Sequence, residues 1–229
     1  MKSFLFLLSF SLALTQIVNA GPVVQPVHPQ LLLESLPAVP ETWKLLSSTG
    51  SNELMGSGEP VTVATRRYEI RLEDKSQEPP VFKTVSLKLV AMDVGSRTET
   101  VQTFRSQLAS VGQGDEARKK IDFGSGVLGV FRSASEGVIK CNGLCGDRLA
   151  LQMESQGADA KEFVALFQSL DFGKLAALVR RLPSTVITSG RYTLHIVDEM
   201  NPKKNRSYQA GTVDFSQEII DAQPKGATP

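Results

Sequence analysis

The chain has 229 residues, of which 41% are hydrophobic and 21% are charged, values typical of a soluble globular protein. Its 25 basic and 24 acidic residues leave a net charge of +1, so the chain as a whole has no field that would attract nucleic acid or an acidic membrane. Any electrostatic binding would therefore depend on local patches. The length suits one substantial domain with extensions.

The first twenty residues have the features of a secretory signal. Lys2 gives a positive start, residues 4–14 form a compact apolar run, and residues 18–20 resemble the small-residue site that signal peptidase cleaves. The apolar run is shorter than the roughly 20 residues that a membrane-spanning helix requires. We therefore predict export to the periplasm or the extracellular medium, with cleavage between Ala20 and Gly21 and no transmembrane segment in the mature chain. An uncleaved N-terminal anchor is the alternative.

Composition divides the mature chain into three parts. Residues 21–40 contain five prolines, which oppose regular helix and strand pairing, and this stretch is predicted to be a leader outside the domain. Residues 41–198 are predicted to form a single domain. Residues 199–229 turn polar and are predicted to be a partly disordered C-terminal extension.

Alternating apolar and polar residues predict two strands early in the domain. In residues 61–73 the apolar side chains fall on one face, and residues 85–91 repeat the same two-residue period. The polar connection between them ends in Pro79-Pro80. We therefore predict that the two strands pair as an antiparallel ribbon.

The polar face of this ribbon has a candidate basic patch. Its members lie within the two strands and are Arg66, Arg67, Arg71 and Lys88. A second basic cluster that would add to the patch consists of Lys203, Lys204 and Arg206. Glu69 and Glu73 alternate with the arginines, so an ordinary solvated face is the competing interpretation.

Three segments have helical periodicity. Apolar residues spaced by three or four predict a helix over residues 98–111. Asp159 and Glu162 form a capping-box sequence that predicts the start of a second helix, and its apolar stripe is predicted to be core rather than a cofactor site. Residues 171–182 predict a third, short helix.

Further strands complete the domain. Residues 123–132 are apolar on both faces and predict a central strand, in which three glycines indicate a bulge or close backbone packing. Residues 185–188 and 191–197, separated by Ser189-Gly190, predict a final hairpin. Because the helices fall between groups of strands, we predict the α+β class, with a largely antiparallel sheet packed against two or three helices.

The two cysteines, Cys141 and Cys145, are separated by three residues that include the strong turn signal Asn142-Gly143. Strands predicted on either side would place the two sulfurs across a short hairpin loop, within bridging distance. We therefore predict a disulfide that stabilises one hairpin. A redox pair is the alternative, although such motifs normally have two intervening residues.

Signatures of metal, nucleotide or nucleophilic chemistry are absent from the sequence. His28 and His195 are its only histidines and lack the spacing of a zinc site. A glycine pattern over residues 124–129 matches a dinucleotide-binding fingerprint by letter, but it leads towards a strand rather than a helix. We predict no cofactor.

Carboxylates near strand ends are the remaining catalytic candidates. Asp93, Asp122 and Asp147 lie at such positions, where sites are often built. Each is more often a turn or cap residue.

We expect a non-catalytic exported protein that acts as a binding or accessory module of a bacterial periplasm or cell envelope. Its partner would be an envelope protein and not a nucleic acid. Two alternatives are a carrier for a small or apolar ligand, held between the sheet and the helices of residues 159–182, and a hydrolase that uses the carboxylates. The sequence makes no prediction of the oligomeric state.

Overall fold

The computed structural model describes residues 23–54, 60–74, 79, 81–95, 98–110, 118–133, 137–182, 186–187 and 189–214. The predicted signal segment, its cleavage between Ala20 and Gly21, and the predicted tail after residue 214 lie outside these residues.

The described residues form an α+β fold around one large antiparallel sheet. In chain order its elements are β1 (Val23–Val24), α1 (Pro29–Ser35), β2 (Lys44–Leu54), β3 (Pro60–Asp74), β4 (Val81–Asp93), α2 (Thr98–Ser110), β5 (Arg118–Asp122), β6 (Val127–Ser133), β7 (Val138–Cys145), β8 (Leu149–Gln156), α3 (Ala160–Gln168), α4 (Gly173–Arg181), β9 (Val186–Ile187), β10 (Ser189–Asp198) and β11 (Arg206–Asp214). A short 3-10 turn, Pro202–Lys204, precedes β11. The predicted fold class is confirmed.

Nine of these strands make one antiparallel sheet within the described part of the chain. Their order is β11-β10-β2-β3-β4-β8-β7-β6-β5. Two antiparallel groups, β2-β3-β4 and β5-β6-β7-β8, are joined where β8 pairs with β4, and the last hairpin adds to the free side of β2. The short strands β1 and β9 pair with each other.

The sheet has an inner face, on the side of Tyr68 and Leu87, and an outer face, on the side of Arg67 and Lys88. The alternation predicted for β3 and β4 is confirmed, because Tyr68 is directly opposite Leu87 and both are buried. Burial of one face of two strands is the pattern that a two-residue period predicts. The inner face therefore supports the main core.

The main core is filled by side chains of the sheet and of α1, α3 and α4. Phe163, Phe167 and Phe172 are almost completely buried, and the rings of Phe163 and Phe167 lie 4.7 Å apart. The apolar stripe predicted for α3 is thus confirmed as core. A smaller apolar cluster lies on the outer face, where Val101 of α2 joins Leu144 and Ala150.

The capping box predicted for α3 is confirmed. Oδ1 of Asp159 accepts a hydrogen bond from the Glu162 N–H at 2.8 Å, and Oε2 of Glu162 accepts one from the Asp159 N–H at 2.8 Å. Two N–H groups that the first helical turn leaves unpaired are therefore satisfied.

Part of the predicted Pro-rich leader belongs to the domain. Pro29 occupies the first turn of α1, a position where proline costs no hydrogen bond, and His28 caps the helix. Leu32 and Leu33 of this helix are fully buried in the main core. The packed domain therefore starts before residue 41.

The C-terminal hairpin differs from its prediction. The second strand, β10, begins at Ser189 instead of turning there, and it pairs with β11 and with β2. The preceding strand, β9, pairs with β1 and not with β10. Since β11 extends to Asp214, the sheet continues beyond residue 198, where we predicted the domain to end.

Among the described helices, none has both the length and the apolar character that crossing a bilayer requires.

Candidate functional site

The two cysteines lie on one strand and not across a hairpin. The strand β7 continues through Asn142-Gly143, and the turn follows it at residues 146–148. Four residues of extended strand span about 13 Å, whereas disulfides require Cα atoms within roughly 7 Å of each other. Cys141 and Cys145 are both free thiols in the structure, so the prediction of a disulfide between them is corrected.

Redox chemistry is not favoured by these cysteines. Both are buried, and burial raises the pKa of Cys141 to about 12 and that of Cys145 to about 11. The reactive form of cysteine is the thiolate. Both residues therefore remain protonated at neutral pH and serve as small core side chains.

Asp93 takes part in a buried ion pair. Its side chain is fully buried and contacts the guanidinium of Arg148, with Nε donating to Oδ1 at 2.7 Å. The N–H groups of Val27 and Gly95 also donate to this carboxylate, at 2.7 and 3.0 Å. Nη2 of Arg148 is the fourth donor, at 2.9 Å from Oδ2. These four donors saturate the carboxylate, which makes it a structural anchor.

Asp122 and Asp147 have equally ordinary contacts. Asp122 accepts a hydrogen bond from the Gly124 N–H at 2.8 Å, which is the pattern of an Asx turn. Asp147 forms an exposed ion pair with Arg105. Each of the three candidate carboxylates thus has its own partner, as turn and ion-pair residues do.

The two histidines meet at the start of α1. The rings of His28 and His195 have centroids 4.4 Å apart, and Nδ1 of His28 accepts a hydrogen bond from the Gln30 N–H. Partial burial, and then the proximity of His28, lower the pKa of His195. Within the described residues, no third His, Cys, Asp or Glu joins them to form a group that would hold a metal ion.

The inner face of the sheet is tightly packed at Gly129 of β6. A Cβ placed on Gly129 would lie 2.6 Å from Sγ of Cys141 and 2.7 Å from Cε2 of Phe123. Even a methyl group has no room there. A shallow depression is instead open along α2, and its lining is polar and uncharged: Gln102, Thr103, Ser106, Gln107 and Ser110.

Arg66 does not belong to the predicted basic patch. It lies on the inner face, where its Nη2 atom contacts Oε2 of Glu199 at 3.0 Å and the carbonyl oxygen of Leu33 at 3.1 Å. Its Nε donates to Oγ of Ser48 at 3.1 Å. This half-buried arginine therefore holds α1 and the end of β10 against the sheet.

Arg67, Arg71 and Lys88 share the outer face. Arg67 lies directly opposite Lys88 in the β3–β4 pair, and Arg71 lies four residues along β3. No carboxylate of the described residues lies within 4.0 Å of the charged atoms of these three side chains. The register therefore places these three residues on one face, and their role as an anion-binding patch stays a prediction.

The patch continues across the sheet into β8 and β7, which no local pattern of residues connects to it. Lys88 is opposite Glu154 of β8, and Glu154 is opposite Lys140 of β7. Glu154 and Lys140 form an ion pair at 3.4 Å, with 32% and 45% of their side chains exposed. On the next two strands, the backbone of Arg132 in β6 is opposite Lys140, and that of Arg118 in β5 is opposite Arg132.

We name this row of register partners the cation row: Arg67, Lys88, Glu154, Lys140, Arg132 and Arg118. No signal in the sequence identifies Lys140 as a member, because its place depends on the pairing of β8 with β4. Arg206 lies in a different row, opposite Ile196, and Lys203 and Lys204 lie in the 3-10 turn. The second basic cluster therefore does not extend the cation row.

Comparisons with protein-family models, with curated proteins and with solved structures found no match.

Proposed function

We propose that this chain is a non-catalytic exported binding protein of a bacterial periplasm or cell envelope, and that it binds an anionic partner through the outer face of its sheet. The single observation behind this proposal is the direct opposition of Arg67 and Lys88. Like charges directly opposite each other in an antiparallel pair destabilise the sheet. A bound anion would relieve that repulsion.

Export is supported by the N-terminal sequence. Lys2, the apolar residues 4–14 and the small residues before Gly21 together have the order of a secretory signal. The near-zero net charge means that attraction of an anion would come from the outer face and not from the chain as a whole.

A binding role agrees better than a catalytic role with the remaining side chains. The buried carboxylate of Asp93 is saturated by hydrogen-bond donors, and the thiols of Cys141 and Cys145 have raised pKa values. Catalytic groups need a pKa matched to their task and access to substrate.

The proposal is tested by neutralising the opposed pair. In the double variant Arg67→Gln/Lys88→Gln, we expect loss of the mature protein's salt-sensitive co-sedimentation with the envelope fraction of its own cells. Its thermal unfolding midpoint should be unchanged or slightly higher, because a like-charge contact is removed.

The matched control is Lys203→Gln/Lys204→Gln, which removes the same charge from an exposed turn outside the sheet. It should co-sediment as the unchanged protein does. Equal binding by the two double variants would overturn the proposal.

A further inference from the structure

Charges on the outer face are arranged differently along the strands and across them. Along β3 the exposed charges alternate in sign, as Arg67, Glu69, Arg71 and Glu73. Lys44 of β2 also pairs with Glu69, at 3.6 Å. A ligand that follows the strand direction would therefore meet attraction and repulsion in turn.

Across the strands the order is different. From Arg67 the cation row passes through Lys88, Glu154 and Lys140, so three of its four described side chains are cationic. Neighbouring strands lie about 4.8 Å apart, so this part of the row spans about 14 Å. Its register continues for two more strands at arginine positions. A ligand that runs across the strands would meet mainly positive charge.

We propose that the partner is a linear anionic polysaccharide with an acidic group on successive sugars, and that it lies over the cation row across the strands. This proposal rests on the proposed function. A pyranose ring is about as long as the spacing between strands, so carboxylates on two consecutive sugars would face Arg67 and Lys88. The third sugar would face Glu154, whose charge is paired with Lys140, and the fourth would face Lys140 itself. Arginine and lysine both bind carboxylates through charge-assisted hydrogen bonds.

The rows beside the cation row supply groups for sugar hydroxyls. On one side the register partners include Thr65, Gln152 and Asn142, and on the other side they include Ser86 and Gln156. Hydroxyl and amide side chains both donate and accept hydrogen bonds. Such flanking groups would orient a sugar chain whose acidic groups sit on the row.

A bilayer matches this pattern less well than a polymer does. A planar anionic surface contacts every charged residue of the face at once, so it would meet Glu69 and Glu73 together with the cations. These glutamates would weaken its attraction to the face. The cation row itself contains neither Glu69 nor Glu73, although Glu69 lies in the adjacent row, opposite Ser86.

An acidic peptide and a nucleic acid also match less well. Side chains on one side of an extended peptide repeat about every 6.8 Å, which is out of step with the strand spacing of about 4.8 Å. Single-stranded nucleic acids bind on aromatic side chains that stack with the bases. The four described side chains of the cation row include none.

The test measures binding of the mature chain to polygalacturonate by calorimetry, with neutral dextran as the uncharged polymer. We expect binding that weakens as salt rises, and none to dextran. Arg67→Gln/Lys88→Gln should weaken binding by about tenfold or more, since two charge-assisted contacts are lost. Lys140→Gln should weaken it less, because Lys140 is already paired with Glu154.

Poly-L-glutamate tests an acidic peptide as the ligand, and phosphatidylglycerol vesicles test an anionic bilayer. If either binds as tightly as polygalacturonate and is equally sensitive to Arg67→Gln/Lys88→Gln, the polysaccharide is wrong while the outer face remains the binding surface. If Lys203→Gln/Lys204→Gln weakens every interaction as much as Arg67→Gln/Lys88→Gln does, the proposed function itself is overturned.

Discussion

The Asp93 carboxylate and the Arg148 guanidinium form a two-point ion pair, with Nε to Oδ1 at 2.7 Å and Nη2 to Oδ2 at 2.9 Å. The same carboxylate accepts from the Val27 N–H, and Arg148 also donates to the carbonyl oxygen of Gln25 at 2.7 Å. The ion pair therefore connects the end of β4, the β7–β8 turn and the segment that leads into α1.

Replacement of Asp93 by asparagine should strongly destabilise the protein. The amide keeps the shape of the side chain but leaves the charge of Arg148, whose side chain is only 13% exposed, without its counter-ion. Breaking a buried ion pair from one side costs about 3–5 kcal/mol. Urea denaturation should show this decrease in the free energy of unfolding.

Asp147→Asn is the control for that substitution, since its ion pair with Arg105 is exposed. Exposed pairs contribute less than about 1 kcal/mol. Similar losses for the two variants would show that the Asp93 pair is not the anchor described above.

The role of α1 as part of the core can be tested within one helix. Leu33 is fully buried and Leu31 is 45% exposed. Leu33→Ala should lower the free energy of unfolding by about 2–5 kcal/mol, the usual cost of truncating a buried leucine. Leu31→Ala should change it by less than about 0.5 kcal/mol. Equal, small effects measured by urea denaturation would mean that α1 is not packed on the sheet.

Both cysteines should be present as protected thiols. In the native protein, Cys141 and Cys145 should react very slowly with N-ethylmaleimide at neutral pH, because burial blocks access and the raised pKa values keep both protonated. In denaturant, intact mass should show two additions without prior reduction. A mass without additions until a reductant is supplied would show a disulfide instead.

Stability should depend on pH through His195. Its pKa is lowered from the ordinary value of 6.5 in the folded state, so below about pH 6.5 the unfolded state binds more protons than the folded state does. The free energy of unfolding should therefore fall as the pH drops through that window and level off below the folded-state pKa. Urea titrations of the unchanged protein and of His195→Gln should show a weaker dependence in the variant.

His28→Asn tests the smaller of the two causes of that shift, the neighbouring imidazole. Asparagine preserves an N-cap for α1 while it removes the neighbouring imidazole. The pKa of His195, followed by NMR, should move towards 6.5. An unchanged pKa would exclude any contribution from His28.

Local signals predicted their elements well. The capping box of Asp159 and Glu162 depends on residues three apart, and the alternation of β3 is contained within a single strand. In both cases the physical cause is a contact between near neighbours, which the order of residues alone specifies.

Predictions were wrong where the structure depends on contacts between residues that are distant in the sequence. Asn142-Gly143 has the letters of a turn, yet a Cβ at Gly143 would lie 3.0 Å from the carbonyl oxygen of Leu128 on the adjacent strand. The glycine therefore serves close strand packing, and the positive φ of 59° at Gly146 marks the actual turn. The cation row cannot be predicted from the sequence for the same reason. Lys140 belongs to it only because β7 pairs with β8 and β8 pairs with β4.

The placement of the last hairpin also determines when the molecule can finish folding. Ser48 of β2 and Glu199 after β10 are hydrogen-bonded although they lie 151 residues apart in the sequence. Contacts of such long range slow folding. While the polypeptide is being synthesised, β2 keeps one open edge and α1 lacks its neighbour on β10, until residues 189–198 have left the ribosome. Late closure of the sheet would keep the chain unfolded during the export that we propose.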